Sequence, residues 1–421
     1  TVSAASGVTD ALKEFVASPK QEKEIDDFLL KLKLRHVELL PKRDGAARKE
    51  ALEMIEKKVT KLDRLLYGVT YTEELTPRTY DLILSAGERL STIVVAARLA
   101  HAGMDSIPME TDTLGLVTNN EHFNAVAILS ECEKNLGPPL KKALDEGTIP
   151  VVTGFFGITQ NGHVSTFGRS GTDYTASVLA YSLKSGPVEI WKEVDGFMSA
   201  DPKMVKKAFL IDRLSYEEAA ELAYFGAQVL HPRAVQPARL RGIDVVIKNL
   251  YDPKSPGTII GNSKATRKDV IKSVSSVPKV ATLKVYDTGA GYKSGFLSEI
   301  TTCLTNAGIN LFSATTSQTC VAVIIDENDA YAANRAVKPL MGGIGESYEI
   351  ETGRALVCTV GEGLGSTKGV AARVFKAVAS KDVNVELISA GASPVAYHFT
   401  VGQKDLKKTV VEIHKEFFGY A

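Results

Sequence analysis

Apolar positions recur every three or four residues through most of the first hundred residues. In "EIDDFLLKLKLRHVELL", Ile25, Phe28, Leu29 and Leu32 fall on one stripe, which predicts an amphipathic helix. "RTYDLILSAGERLSTIVVAARLAHAG" predicts another, from about Thr79 to Gly103, with its final glycine as the stop. The pattern then changes. "TIPVVTGFFG", "VEIWKEVDG" and "DVVIKN" are short β-branched runs bounded by turn residues, the form of buried parallel strands. Helical segments lie between them. "LSYEEAAELAYFG" opens on Ser215 and Glu218 as a capping box and turns Ala219, Leu222 and Ala223 inward. This alternation predicts an α/β domain with a mainly parallel sheet. It ends near "YDPKSPGTII", before a polar linker over 261–268.

The remaining chain holds an internal repeat. Gly295 and Asn310 recur as Gly369 and Asn384, both offset by 74 residues. An amphipathic helix is predicted between each glycine and asparagine, with Phe296, Ile300 and Leu304 inward in one and Val370, Val374 and Val378 in the other. Two strands and a second helix follow each asparagine. A period this long indicates a duplicated domain rather than a solenoid. The second copy ends on the helix "DLKKTVVEIHKEFF" without a closing strand, and an orphan strand-like run, "DVIKSVSS", precedes the first. An open sheet edge is a liability, so that run is expected to close the second copy, with the first copy inserted into it.

Composition narrows the function. Lys and Arg balance Asp and Glu at 50 each, so no overall field favours nucleic acid or a membrane surface. No apolar run approaches the ~20 residues of a membrane span. The four cysteines, Cys132, Cys303, Cys320 and Cys358, lack metal-like spacing and read as buried thiols in a reducing compartment. With no signal peptide before Thr1, a cytosolic or organelle-matrix protein is expected.

Candidate chemistry concentrates in "STFGRSGTDYTA". Its glycines permit close backbone approach, hydroxyls and a helix start near Asp173 suit an anion, and Arg169 can grip a carboxylate or phosphate bidentately. The plainer reading is a glycine-containing strand-to-helix loop with a surface arginine. "LSAGERLS" places Glu88 and Arg89 in a helix, where a solvated face is the plainer reading. "WKEVDGFMSADPK" could cover a nucleotide or be an ordinary loop, and His231 in "LHPR" reads as structural. No Walker-type sequence, zinc spacing, nucleophile elbow or dinucleotide fingerprint occurs.

Taken in order, "VSAASGVTD", "LSAGERLS", "VVTGFFG", "FGRSGTDYTA", "WKEVDGFMSADP", "ELAYFGAQVLHPRAVQPA" and "KNLYDPKSPGT" resemble the aspartate kinase family over essentially the whole chain. The tail repeats resemble that family's regulatory ACT modules. The resemblance implies an amino-acid-kinase (carbamate-kinase-like) αβα sandwich over 1–265, followed by two ferredoxin-like modules: 279–352, and 266–278 with 353–421. It implies phosphorylation of the L-aspartate side-chain carboxylate by ATP with Mg2+, the first step toward lysine, threonine and methionine. By the same resemblance, Ser3, Thr9, Glu88 and Arg169 hold aspartate, Arg169 on its α-carboxylate and Glu88 on its ammonium side. Thr172 and Asp173 line the reaction centre. Thr153, Gly154, Lys192, Asp201, Lys203 and Gln228 lie around the nucleotide. Tyr292, Lys293, Gly295, Asn310 and Gln318 form the effector site. Homo-oligomers through the ACT modules, and a cytoplasmic or plastid-stromal location, are also implied. Val2 resembles the end of the family's second core strand, so a first strand bearing a phosphate-binding lysine is expected upstream.

This chain departs from many family members at Lys192, Glu193, Met198 and Gln228, which weakens the nucleotide assignments, although "WK…VDG" and "FGAQVLHP" resemble the plant branch. Two rival readings remain. One is another amino-acid or carbamate kinase, which the paired repeats disfavour; the other is an effector-binding protein of this fold without catalysis. In lysine-sensitive relatives an aspartate and a glutamate stand where this chain has Phe312 and Gln318. An uncharged effector such as threonine is therefore expected, ahead of insensitivity or of a cation at Glu386.

Overall fold

The computed structural model describes residues 1–18, 20–43, 45–227, 229–262 and 270–420. They divide into two units, Thr1–Ile190 with Arg233–Val246, and Trp191–Pro232 with Ile247–Ala421.

The first unit opens with five helices: α1 (Val8–Val16), α2 (Glu22–Leu39), α3 (Ala46–Thr72), α4 (Pro77–Leu84) and α5 (Ala86–His101). The apolar stripe of α2 buries Ile25, Leu29 and Leu32 in one core with Ile55, Val59, Leu62 and Leu66 of α3. The continuous helix expected from Thr79 to Gly103 is broken at Ser85. Its hydroxyl donates back to the Leu82 carbonyl (2.7 Å) and accepts from Arg89 Nε (3.1 Å), drawing a backbone acceptor out of the helical ladder. The chain continues through β1 (Ser106–Met109), α6 (Thr111–Leu114), β2 (Val117–Thr118), α7 (Leu129–Asp145), β3 (Ile149–Val152), β4 (Phe156–Thr159), β5 (Val164–Thr166) and α8 (Gly171–Leu183). β1 pairs β3 in parallel and β2 pairs β4 in parallel, while β4 and β5 form an antiparallel hairpin. Val2 adds a parallel bridge to Thr153.

A four-stranded sheet follows in the order β6-β8-β9-β7, from β6 (Val188–Lys192), β7 (Arg213–Leu214), β8 (Val245–Asn249) and β9 (Thr258–Ile260). Between β7 and β8 come α9 (Tyr216–Tyr224) and α10 (Gln236–Leu240). The Ser215–Glu218 capping box forms at the start of α9, with Ala219 and Leu222 buried.

In the second unit the repeats build one six-stranded antiparallel sheet, order β11-β12-β10-β13-β15-β14. Its elements are β10 (Ser273–Tyr286), α11 (Phe296–Asn306), β11 (Leu311–Thr316), β12 (Cys320–Asp326), α12 (Ala330–Val337), β13 (Ser347–Val360), α13 (Val370–Ala379), β14 (Ile388–Ala390), β15 (Ala396–Gly402) and α14 (Leu406–Phe418). β10 and β13 are 14 residues long because each serves both repeats. The first half of β10 pairs Ser273–Val277 with Leu356–Val360, and its second half pairs with the start of β13. Phe296, Ile300 and Leu304 fill one core, and Val370, Val374 and Val378 the other. Ala200 and Val205 enter that second core, and Ala200 bridges Val274 in parallel. The second unit thus takes in Trp191–Pro232 as well as the repeats. Of the cysteines, Cys132 and Cys358 are buried, but Cys303 and Cys320 are half-buried; all four are free thiols.

A buried ion pair joins α9 to the start of β10. Lys272 Nζ meets the fully buried Glu218 carboxylate, which also accepts the backbone N–H groups of Ser215 (2.8 Å) and Glu362 (2.6 Å). Removing one partner strands the other charge. Lys272→Ala is therefore expected to cost about 3–5 kcal/mol in urea unfolding, whereas a loss under about 1 kcal/mol would show the pair to be solvated.

Candidate active site

Of the residues singled out around aspartate, Ser3, Glu88 and Thr172 are brought near one another in the first unit by short contacts. Val2 donates to the Val152 carbonyl and accepts from Gly154, both at 2.9 Å, which seats the segment bearing Ser3 against the end of β3. One residue further, the Ala4 N–H donates to Glu88 Oε1 at 3.1 Å. Gly87 makes this approach possible: a Cβ there would lie 2.8 Å from the Ala4 Cβ. Gly154 does the same on the other side, where a Cβ would fall 2.5 Å from Thr172. Ser3, Glu88, Gly154 and Thr172 are thus linked, with Thr153 tied beside them to Thr111 N–H at 2.9 Å. Gly154→Ala is expected to push Thr172 off the start of α8 and cut turnover at least tenfold, with Tm within a few degrees; unchanged turnover would place Thr172 outside the chemistry.

Two helix starts face this cluster's chain neighbours. α1 begins after Gly7 and α8 after Ser170, both left-handed (φ 74° and 53°) and neither capped by its own side chain. Helix starts of this kind present unpaired N–H groups and a partial positive charge. Thr9 lies in the first turn of α1, Thr172 and Asp173 in that of α8. Arg169 is exposed on the loop between β5 and α8, after Gly168 (φ 75°), which has the Phe123 carbonyl where a side chain would stand.

Glu88 is the electrostatic centre. It is 3 % exposed, and its Oε2 has no hydrogen-bond partner among the described residues. Burial pushes its pKa up to about 7, against the lowering effect of the Ala4 N–H. A half-satisfied buried carboxylate calls for a cationic donor.

Two residues not singled out in the sequence, Asp81 and Arg233, brace this site. Asp81, fully buried on α4, accepts from Thr166 Oγ1 (2.6 Å), Thr166 N–H (3.2 Å) and Phe123 N–H (3.2 Å), and bonds His122 Nδ1 (2.7 Å). Arg233 donates to Asn124 Oδ1 and the Ala125 carbonyl, and lies over the Tyr174 ring. Both hold the strand and loop that lead into Phe167–Gly168–Arg169. A charged residue amid the apolar positions of α4 was the available signal for Asp81.

The remaining assignments lie in the second unit. Lys192 ends β6, its carbonyl accepting from Leu250 N–H at 2.7 Å. Asp201 and Lys203 are exposed and share a turn in which Asp201 Oδ1 accepts the Lys203 N–H at 2.9 Å. Gln228 lies outside the described residues. Tyr292, Lys293 and Gly295 stand on one loop, and the Gln318 carbonyl accepts from Gly291 of that loop at 2.8 Å. Lys293 pairs with the nearly buried Asp287. Beside Asn310, the Leu311 carbonyl accepts from the Tyr224 hydroxyl at 2.5 Å, and burial raises the Tyr224 pKa. Among the described residues no cluster of three or more His, Cys, Asp or Glu is placed to hold a metal, and no helix is long and apolar enough to cross a membrane.

The amino acid kinase family model matches residues 1–249, and an ACT domain model matches 357–417. Aspartokinase 1, chloroplastic, of Arabidopsis thaliana is 33% identical over 85% of this chain and 64% of its own. Aspartokinase 2, chloroplastic, of the same plant is 32% identical over 87% and 68%. The chain thus spans about two-thirds of the length of these relatives. The crystal structure of E. coli aspartokinase III with aspartate and ADP superposes with a TM-score of 0.79 at 27% identity, covering 99% of this chain and 92% of that one. A family match over more than half of the chain, with relatives and fold agreeing, shows that it belongs to the amino acid kinase family, among the aspartokinases.

Proposed function

We propose that this protein phosphorylates the side-chain carboxylate of L-aspartate with MgATP, giving 4-phospho-L-aspartate and ADP. The observation that carries this reading is Glu88, buried beside the Ser3–Ala4 segment with one carboxylate oxygen unpartnered among the described residues. It accepts the substrate ammonium, while Arg169 takes the α-carboxylate through its two-pronged guanidinium. Ser3 and Thr9 complete the amino-acid grip. The side-chain carboxylate is then directed to the uncapped start of α8, where Thr172 and Asp173 lie. The nucleophile is already ionised at neutral pH, so no general base is needed. Phosphoryl transfer requires alignment and charge neutralisation; Mg2+, carried by the nucleotide's phosphates, and the helix N–H groups supply it. Thr153, Gly154, Lys192, Asp201, Lys203 and Gln228 form the nucleotide side in this reading.

The domain division 1–265, 279–352, and 266–278 with 353–421 is proposed with it: a kinase followed by two interleaved ACT modules. The tail modules pair across a two-fold axis to give a homo-oligomer, in a cytoplasmic or plastid-stromal setting. The effector proposed for the first module is an uncharged amino acid of threonine's size. Lys293 already neutralises Asp287, and Glu386 already pairs with Arg354 at 3.0 Å, so neither carboxylate is free for a cation. A coupled assay of ADP release tests the core of the reading. Release that depends on aspartate and is inhibited by threonine supports it; release independent of aspartate overturns it.

A further inference from the structure

We infer that His414 of α14, acting through Ser199, is a positioning residue for the nucleotide. This rests on the proposed role of Asp201 and Lys203. His414 is fully buried, with Nε2 2.9 Å from Ser199 Oγ and Nδ1 2.8 Å from the Tyr420 carbonyl. A carbonyl can only accept, so Nδ1 carries the proton and Nε2 accepts from the Ser199 hydroxyl. Ser199 Oγ in turn accepts the Phe209 N–H at 3.0 Å. Every donor and acceptor in this relay is used once, in one direction. Burial lowers the His414 pKa, which keeps the ring in the neutral form the relay needs.

The relay fixes a serine whose backbone is also held on both sides. Ser199 N–H donates to Phe209 O, and its carbonyl accepts Val274 N–H, both at 2.9 Å. Two residues later stands Asp201, whose carbonyl accepts the Met204 and Val205 N–H groups at 2.9 and 3.0 Å. The turn carrying the exposed Asp201 and Lys203 side chains is thus pinned at Ser199 before it and by buried Val205 after it. Its first pin is a side chain from the last helix of the chain, 215 residues away. If the turn meets ATP, the position of its charged groups depends on that imidazole.

Four variants separate positioning from bulk stability. Asparagine at 414 can keep the bond to Tyr420 but not the reach to Ser199, whereas glutamine can keep the reach. His414→Asn and Ser199→Ala are expected to raise the KM for MgATP roughly five- to tenfold, leaving the KM for aspartate within twofold. His414→Gln is expected to recover most of that loss. MgATP binding, followed with a fluorescent ATP analogue, should move in parallel. Lys203→Ala reports on the assignment beneath: if it leaves nucleotide affinity unchanged, the turn does not face ATP and the inference falls with it. If Lys203→Ala weakens MgATP but His414→Asn does not, or His414→Asn raises both KM values equally, the inference alone is overturned. A lower Tm with both KM values unchanged overturns it as well.

Discussion

Arg169→Ala is expected to lower kcat/KM for aspartate ten- to a hundredfold, about 1.5–3 kcal/mol for a charge-assisted bidentate contact, with a much smaller change for ATP. The side chain is exposed on its loop, so removing it should spare the fold. Gly168 and Ser170, both left-handed, set the direction in which the guanidinium leaves the chain. Arg169→Lys should recover only part of the loss, because a point charge lacks the planar fork. Steady-state kinetics with each substrate varied in turn provide the check. Equal losses for both substrates would move Arg169 to a structural or nucleotide role.

Glu88→Gln should produce two effects of opposite sign. The folded pKa of about 7 lies above the ordinary carboxylate value of 4.5, so the folded chain holds a proton that the unfolded chain releases in between. Stability from this group is fully present below pH 4.5 and is lost as pH rises through 7, by at most about 3 kcal/mol. Replacing the carboxylate with an amide at pH 8 is therefore expected to raise the Tm of the ligand-free protein. The same change removes the partner of the aspartate ammonium, so the KM for aspartate should rise tenfold or more. In the unmodified protein, an arriving ammonium drives the proton off. Aspartate affinity should then weaken as pH falls below about 7, by up to roughly tenfold per unit, and Glu88→Gln should flatten that slope. A pH series of aspartate titrations by calorimetry tests this; a slope that survives in Glu88→Gln would assign it to another group.

What could be read from the chain was local or periodic. The stripe of Ile25, Leu29 and Leu32, the Ser215–Glu218 box and the 74-residue repeat each specify their element through near neighbours. The long shared strands followed from the repeat together with the need to close a sheet edge. The bracing of the site was not legible in this way. Asp81 reaches Thr166 across 85 residues, and Ser199 reaches His414 across 215. Nothing in either local pattern marks such pairs. The interruption at Ser85 is not legible because serine is neutral in a periodic pattern, and only its hydroxyl bonds to Leu82 and Arg89 mark the position. Glu88 stood in a segment that reads as a solvated helix face; its burial comes from the close approach of Ala4 over Gly87, a tertiary event.

The most direct measurement traps the product. The full-length protein is incubated with MgATP and hydroxylamine, together with aspartate, glutamate or no amino acid, and both ADP and acyl hydroxamate are quantified. Transfer to the aspartate side chain predicts one hydroxamate per ADP with aspartate and only background with glutamate. ADP without hydroxamate, or equal hydroxamate from glutamate, would contradict it.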